Sequence, residues 1–200
     1  MEIGMNKKAH FNPNSLKWLI SLAVMAVVSA GVVFGSQAIY DAANEKYNEP
    51  VEISFTVAST SSEDISGTDA DSLGIKSVEK AFDEKGTLVA YIVNGTTVGY
   101  NTSVPIEMSS IISADGSLVC GVDIMHQEET EYLGVRIETQ AFKDQFKGRY
   151  LPVVLASSTD KGSKIDVLSN STISTQAVVD GVNNAQQFVL DNYAAADSAE

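Results

Sequence analysis

The feature that most limits what this chain can fold into is residues 18–40, a run of 23 residues without a formal charge (WLISLAVMAVVSAGVVFGSQAIY). As a helix it would extend about 34 Å at ~1.5 Å per residue, which matches a bilayer hydrocarbon core of ~30 Å. Trp18 and Tyr40 close its two ends, where interfacial aromatics sit. Lys7, Lys8 and Lys17 precede the run, and Asp41, Glu45 and Glu49 follow it. Basic flanks favour the cytoplasmic side, so residues 1–17 are expected in the cytoplasm, 18–40 across the cell membrane and the remainder outside. The competing reading is a signal peptide cleaved near Ser36-Gln37-Ala38. The run exceeds the roughly 7–15 apolar residues of such peptides, which favours a retained single-pass anchor. Either way the bulk of the chain is exported.

The 200 residues leave room for one ordinary domain beside the anchor, and a hydrophobic share of 44% supports a packed core. Of 13 basic and 26 acidic residues, Lys7, Lys8, Lys17 and Glu2 fall in the first 40, leaving 10 basic against 25 acidic in the exported part. A domain that acidic repels nucleic acid, so no nucleic-acid partner is expected. Cys120 is the single cysteine, and His10 and His126 are the only histidines. That count excludes an internal disulfide and argues against a Cys- or His-rich metal site. Cys120 sits in an apolar stretch and reads as a small buried hydrophobe.

Residues 41–74 are polar and acidic, including STSSEDISGTDADS at 59–72, and read as a connector with a candidate strand over 51–57. Residues 75–193 read as one domain, and 194–200 as a tail. Residues 87–93 (TLVAYIV) form a strand candidate, and Asn94-Gly95 predicts a hairpin returning over 96–100. Residues 106–113 and 118–125 flank Ala114-Asp115-Gly116-Ser117, a second hairpin. Residues 139–147 suit a short helix stopped by Gly148, and 151–156 a buried strand. From Ser174 onward, Val178, Val182, Ala185, Val189 and Tyr193 share one helical face, away from Asp180, Asn184, Gln187 and Asp191. Strands first and helices later argue an α+β domain.

The segment richest in chemistry is Asp166-Val-Leu-Ser169-Asn170-Ser171-Thr172-Ile-Ser174-Thr175, a hydroxyl-rich loop that opens the last helix. One reading makes Thr172 or Ser174 an N-cap that accepts a hydrogen bond from an orphan amide. The other uses the same amides, with the positive end of the helix dipole, to hold a phosphate. Arg149, Lys161 and Lys164 are the nearest basic residues in sequence that could assist.

This segment resembles the flavinylation motif of the FMN-binding domain family, roughly D-x-x-S/T-G-A-T/S, with Asp166, Ser169 and Thr172 at its leading aspartate, first hydroxyl and acceptor. Other segments resemble the family in the same order. Val98-Gly99-Tyr100 before Pro105-Ile106 is similar to its G-Y-x-G-P-I. Asp115-Gly116 with Gly121-Val122 is similar to its D-G-x-I-x-G-V. His126 through Thr130, Leu133 and Gly134 is similar to its H-x-E-T-P-G-L-G, and Phe142, Gln145, Phe146 and Gly148 to its F-x-x-Q-F-x-G. The resemblance spans about residues 75–190.

The resemblance implies FMN esterified through its phosphate to Thr172 by a flavin transferase, with Ser169, Asn170, Ser171, Ser174, Thr130, Tyr132, Leu133 and Gly134 around the cofactor. It implies no catalytic residue and no metal of the chain's own. Two relatives share an N-terminal membrane helix and an exported FMN domain: the G subunit of Rnf complexes and the C subunit of Na+-pumping NADH:quinone reductase. The short chain resembles the former more. It would then be an electron-carrier subunit of an ion-translocating ferredoxin:NAD oxidoreductase, with the other Rnf-type subunits as partners. Asn170 and Ser171 stand where the motif has glycine and alanine, and Asn is the best non-glycine choice at positive φ. Glu131-Tyr132 stands where Pro-Gly is usual. Tyr132 would stack on a flavin ring or cover apolar surface. A stand-alone anchored flavoprotein and a degenerate non-redox domain are the competing functions.

Overall fold

The computed structural model describes residues 45–194. The apolar run at 18–40, the segment 1–17 before it and the tail beyond 194 lie outside them. Among the described residues no helix is long and apolar enough to cross a membrane.

A short 3-10 turn, Glu45–Tyr47, leads to β1 (Ser59–Ser62), β2 (Ile75–Phe82), β3 (Leu88–Thr97), β4 (Ile106–Ser113) and β5 (Leu118–His126). A 3-10 segment, Gly134–Glu138, and helix α1 (Gln140–Lys143) follow, then β6 (Arg149–Tyr150), β7 (Val153–Leu155), β8 (Ser163–Ile165), helix α2 (Thr172–Val189) and a π-helical turn, Leu190–Ala194. The first six strands form one antiparallel meander in sequence order, and β7 and β8 form a separate parallel pair. The result is the α+β arrangement expected from the sequence.

Alternation sets the layers. In β4, Ile106, Met108, Ser110 and Ile112 are buried, while the intervening residues are partly or fully exposed. The face carrying Val93, Met108 and Ile112 belongs to the same core as Val178, Val182, Ala185 and Val189 of α2, the stripe read from the 3.6-residue period. Gly181 lets the helix lie close, since a Cβ there would collide with Met108 Sδ. The amide of Asn183 fastens α2 to β7 by donating to Val153 O at 2.9 Å and accepting from Val153 N at 3.0 Å. Tyr193 stacks on Tyr91 with ring centroids 4.7 Å apart, extending the apolar stripe past the helix end.

The β4–β5 hairpin forms where the Asp-Gly tip placed it. Asp115 Oδ1 accepts from Ser113 Oγ at 2.5 Å and Ser117 N at 3.1 Å, and Gly116 takes φ +70°. The first hairpin differs from expectation. Asn94-Gly95 is not a turn, and 96–100 is not a returning strand: β3 runs straight through to Thr97, with Asn94 opposite Ser77 and Ser109. The turn lies earlier, where Asp83 Oδ1 accepts from Lys85 N at 2.9 Å and Thr87 N at 2.8 Å and Gly86 takes φ +80°. Gly95 serves close approach instead, since a Cβ would lie 2.8 Å from Gly74 O. Residues 51–57 are irregular as well. The strand in that region is β1, whose polar residues pair with β2 within the acidic run.

Candidate functional site

Two segments converge at the β3–β4 end of the sheet, one leading into α2 and one leaving β5. The first is drawn in by Gln145, whose Oε1 accepts from Asp166 N at 2.7 Å, while the neighbouring Phe142 and Phe146 are buried. The chain then turns at Asn170, which stands at the position of the motif glycine and adopts φ +60°, the left-handed region that Asn tolerates best among non-glycine residues. Thr175 Oγ1 donates to Ser171 O at 2.8 Å and accepts from Leu168 N at 3.3 Å, fixing the turn to the first helical turn.

The N-cap is Ser171, and it makes no side-chain capping bond. Neither Thr172 nor Ser174 is the cap. Thr172 is the first helical residue and is exposed, whereas Ser171 and Ser174 are buried. The opening amides of a helix have no intrahelical partner, and here the capping side chain does not take them. No acidic residue lies in this first turn. An anion placed there meets a favourable dipole end without carboxylate repulsion from the helix itself.

The second segment is organised by Glu129, a carboxylate only 6% exposed. Its oxygens accept from Tyr100 N and Asn101 N, both at 3.1 Å, and from the Ser174 hydroxyl. Three separate stretches (the loop after β3, the loop after β5 and the start of α2) are thereby tied to one side chain. Gly99 and Gly134 leave the necessary space: a Cβ on Gly134 would lie 2.7 Å from Glu129 Cβ and 2.8 Å from Ser174 Oγ. Tyr132 adopts φ +62° where the related motif has glycine, and its ring is 80% exposed.

Between the two walls lies a cavity of about 360 Å³, within the ~300–1,000 Å³ of small-molecule sites. Asn170, Ser171, Thr172, Ile173 and Ser174 line one side, and Tyr100, Thr130, Leu133 and Gly134 the other. Of the residues singled out from sequence, Ser169 and Tyr132 are not among the lining side chains. Ser174 lines the cavity with its hydroxyl committed to Glu129.

The basic residues nearest in sequence are engaged elsewhere or lie off the cavity. Lys164 Nζ donates to Ser158 O and Asp160 O at 2.8 and 2.9 Å, Arg149 donates to Gln145 O and Asn48 O, and Lys161 is not among the lining residues. The cation bonded to both walls is Arg136, which is itself not a lining residue. Its Nε donates to Leu133 O at 3.1 Å, and its Nη2 to Ser169 O and, at 3.4 Å, to Ser171 Oγ. Arg136 therefore staples the 133 side of the cavity to the turn before Thr172. Sequence reasoning missed Arg136, Glu129, Tyr100 and Ile173 as site residues. Tyr100 and Glu129 lie inside segments that carried the resemblance, whereas Arg136 had no local signal because two of its three partners are 33 and 35 positions away.

Comparison with known proteins bears directly on this cavity. Residues 99–187, which contain both walls, match the family described as "FMN-binding domain". The chain is 36% identical over 129 residues to the G subunit of the ion-translocating oxidoreductase complex of Methanosarcina acetivorans, covering 64% of this chain and 66% of that one. It is 36% identical over 107 residues to the G subunit of the Na(+)-translocating ferredoxin:NAD(+) oxidoreductase complex of Acetobacterium woodii, covering 51% and 50%. The chain thus spans about half to two thirds of the length of these curated relatives. Among solved structures it is similar in fold to NqrC of Shewanella oneidensis, with a TM-score of 0.53 at 18% identity over 62% of this chain and 61% of that chain.

Proposed function

We propose that this chain, whose residues 99–187 match the FMN-binding domain family, is an electron-carrier subunit of an Rnf-type ion-translocating oxidoreductase complex and holds FMN through a phosphoester on Thr172. The observation that carries this reading is Thr172, exposed and lining the cavity at a helix start whose N-cap side chain takes none of the first-turn amides.

The residues fit the group. The first-turn amides of α2 and Arg136 would receive the phosphate, and Leu133, Ile173 and Tyr100 offer apolar surface to a flat ring. Of the three hydroxyls at the start of α2, Ser171 is 5% exposed beside Arg136 and Ser174 is 2% exposed on Glu129, so among these three Thr172 is the one open to an external enzyme. In the esterification, Thr172 Oγ1 forms a bond to the FMN phosphorus of FAD. The pyrophosphate bond breaks, AMP leaves, and the hydroxyl proton passes to the transferase. Bound flavin supplies the redox chemistry; the protein supplies position, electrostatics and exclusion of solvent.

The names of the two relatives support assembly with the other subunits of an ion-translocating complex, and residues 18–40 have the length and flanks of a single-pass anchor with the domain outside the cell. Co-expression with the flavin transferase, followed by in-gel fluorescence of denatured protein, tests the reading. A fluorescent band lost in Thr172→Ala supports it. A band that persists in that variant moves the ester to Ser171 or Ser174.

A further inference from the structure

We infer that Tyr100 is the aromatic side chain that covers the flavin ring, and that Glu129 is the positioning residue that holds it over the cavity; this rests on the FMN reading above.

Two tyrosines stand near the cavity, and the structure treats them differently. Tyr100 lines it, whereas Tyr132 does not. The Tyr100 ring is 64% exposed, so it is not spent on the protein's own core. Its backbone, in contrast, is fixed. Tyr100 N donates to Glu129 Oε2 and Asn101 N to Glu129 Oε1, each at 3.1 Å, and Asn101 Nδ2 reaches Glu128 O at 2.8 Å. Gly99 allows this seat, because a Cβ there would collide with the same carboxylate. A clamped backbone leaves only the two side-chain torsions of Tyr100 to be ordered when a planar ligand settles against its ring.

The rest of the mouth agrees. Leu133 (36% exposed) and Ile173 (54% exposed) are exposed apolar side chains lining the same cavity. Together with Tyr100 they give the cavity three exposed apolar side chains in an otherwise acidic domain. Such a lining suits a flat heteroaromatic ring better than a second charged group, and the charged end of the ligand is already served by the helix start and Arg136. Glu129 acts only through Tyr100 and the loops; all its partners are protein donors.

An electron-rich phenol in contact with isoalloxazine quenches flavin emission, which gives a readout that a purely structural role does not move. Protein flavinylated by the co-expressed transferase is compared as wild type, Tyr100→Leu, Tyr132→Leu and Glu129→Gln. Emission per flavin is measured in native buffer and again after unfolding in guanidinium, with near-UV circular dichroism to confirm folding. Tyr100→Leu is expected to raise native emission severalfold at equal flavin load, and Glu129→Gln to raise it in part. Tyr132→Leu should leave it unchanged, and all four should coincide once unfolded. Unchanged native emission in Tyr100→Leu, or the rise appearing in Tyr132→Leu instead, overturns the assignment. Absence of flavin from wild-type protein, seen as no emission after unfolding, brings down the FMN ester and this inference with it.

Discussion

The hydroxyl of Ser174, in the first turn of α2, donates to the carboxylate of Glu129, 45 residues earlier in the chain. That bond joins the turn carrying Thr172 to the opposite wall of the cavity, and the same carboxylate holds the loop of Tyr100. Removing a buried group with several donors leaves those donors unpaired, at roughly 1–3 kcal/mol each when water cannot replace the partner. Glu129→Leu should therefore destabilise the domain by about 3 kcal/mol and Ser174→Ala by about 1 kcal/mol, read as urea midpoints. Equal midpoints for Glu129→Leu and wild type would show the network to be incidental.

Asn170 holds φ +60° in the turn before Thr172. A left-handed backbone costs about 1–2 kcal/mol for an ordinary residue, less for Asn and nothing for Gly. Asn170→Val should lose about 1–2 kcal/mol and slow flavinylation, while Asn170→Gly should match or exceed wild type in both. A valine variant as stable as wild type would contradict the geometry of this turn.

The Arg136 guanidinium bridges Leu133 O and Ser169 O, tying together the two walls of the cavity. Hydrogen bonds to a charged group contribute about 1.5–3 kcal/mol, and ~1.4 kcal/mol is tenfold. Arg136→Ala should slow transfer of flavin to Thr172 roughly tenfold or more in a transferase time course, with Arg136→Lys between. Arg149→Ala and Lys164→Ala, remote from the cavity, should leave the rate unchanged. The reverse order would place the phosphate elsewhere.

Cys120 lies at 7% exposure in β5, and burial, reinforced by the charge of Asp115, pushes its thiol up from 9.0 to about 11. A folded-state value above the unfolded one gives stability that is present below pH 9 and lost as pH rises toward 11. The thiol should resist a disulfide reagent at pH 8 in native protein and react at once in denaturant. Fast native labelling at pH 8 would mean that β5 opens far more readily than its packing implies.

How much of this was legible in the sequence depends on whether the deciding contact is local. The β4–β5 hairpin was, because Asp115 and Gly116 settle their turn within five residues. The stripe Val178, Val182, Ala185 and Val189 was too, because a helix carries its own period. Asn94-Gly95 misled: the same dipeptide that closes a hairpin can sit in mid-strand when a neighbour such as Gly74 needs close approach. The segment opening α2 was singled out through resemblance, and the cavity brings Asn170 through Ser174 together with Thr130, Leu133 and Gly134. Arg136 was not, since nearness in sequence pointed to Arg149, Lys161 and Lys164, while folding ties Arg136 to the turn at Ser169 and Ser171.

The central claim is tested most directly by the intact mass of the full chain purified after co-expression with its flavin transferase, with the Thr172-containing peptide sequenced by fragmentation. The expected result is a mass increment of one FMN less one water, located on Thr172 and absent from Thr172→Ala. A wild-type mass equal to the polypeptide alone, under conditions where a known substrate of the same transferase is loaded, would contradict the account.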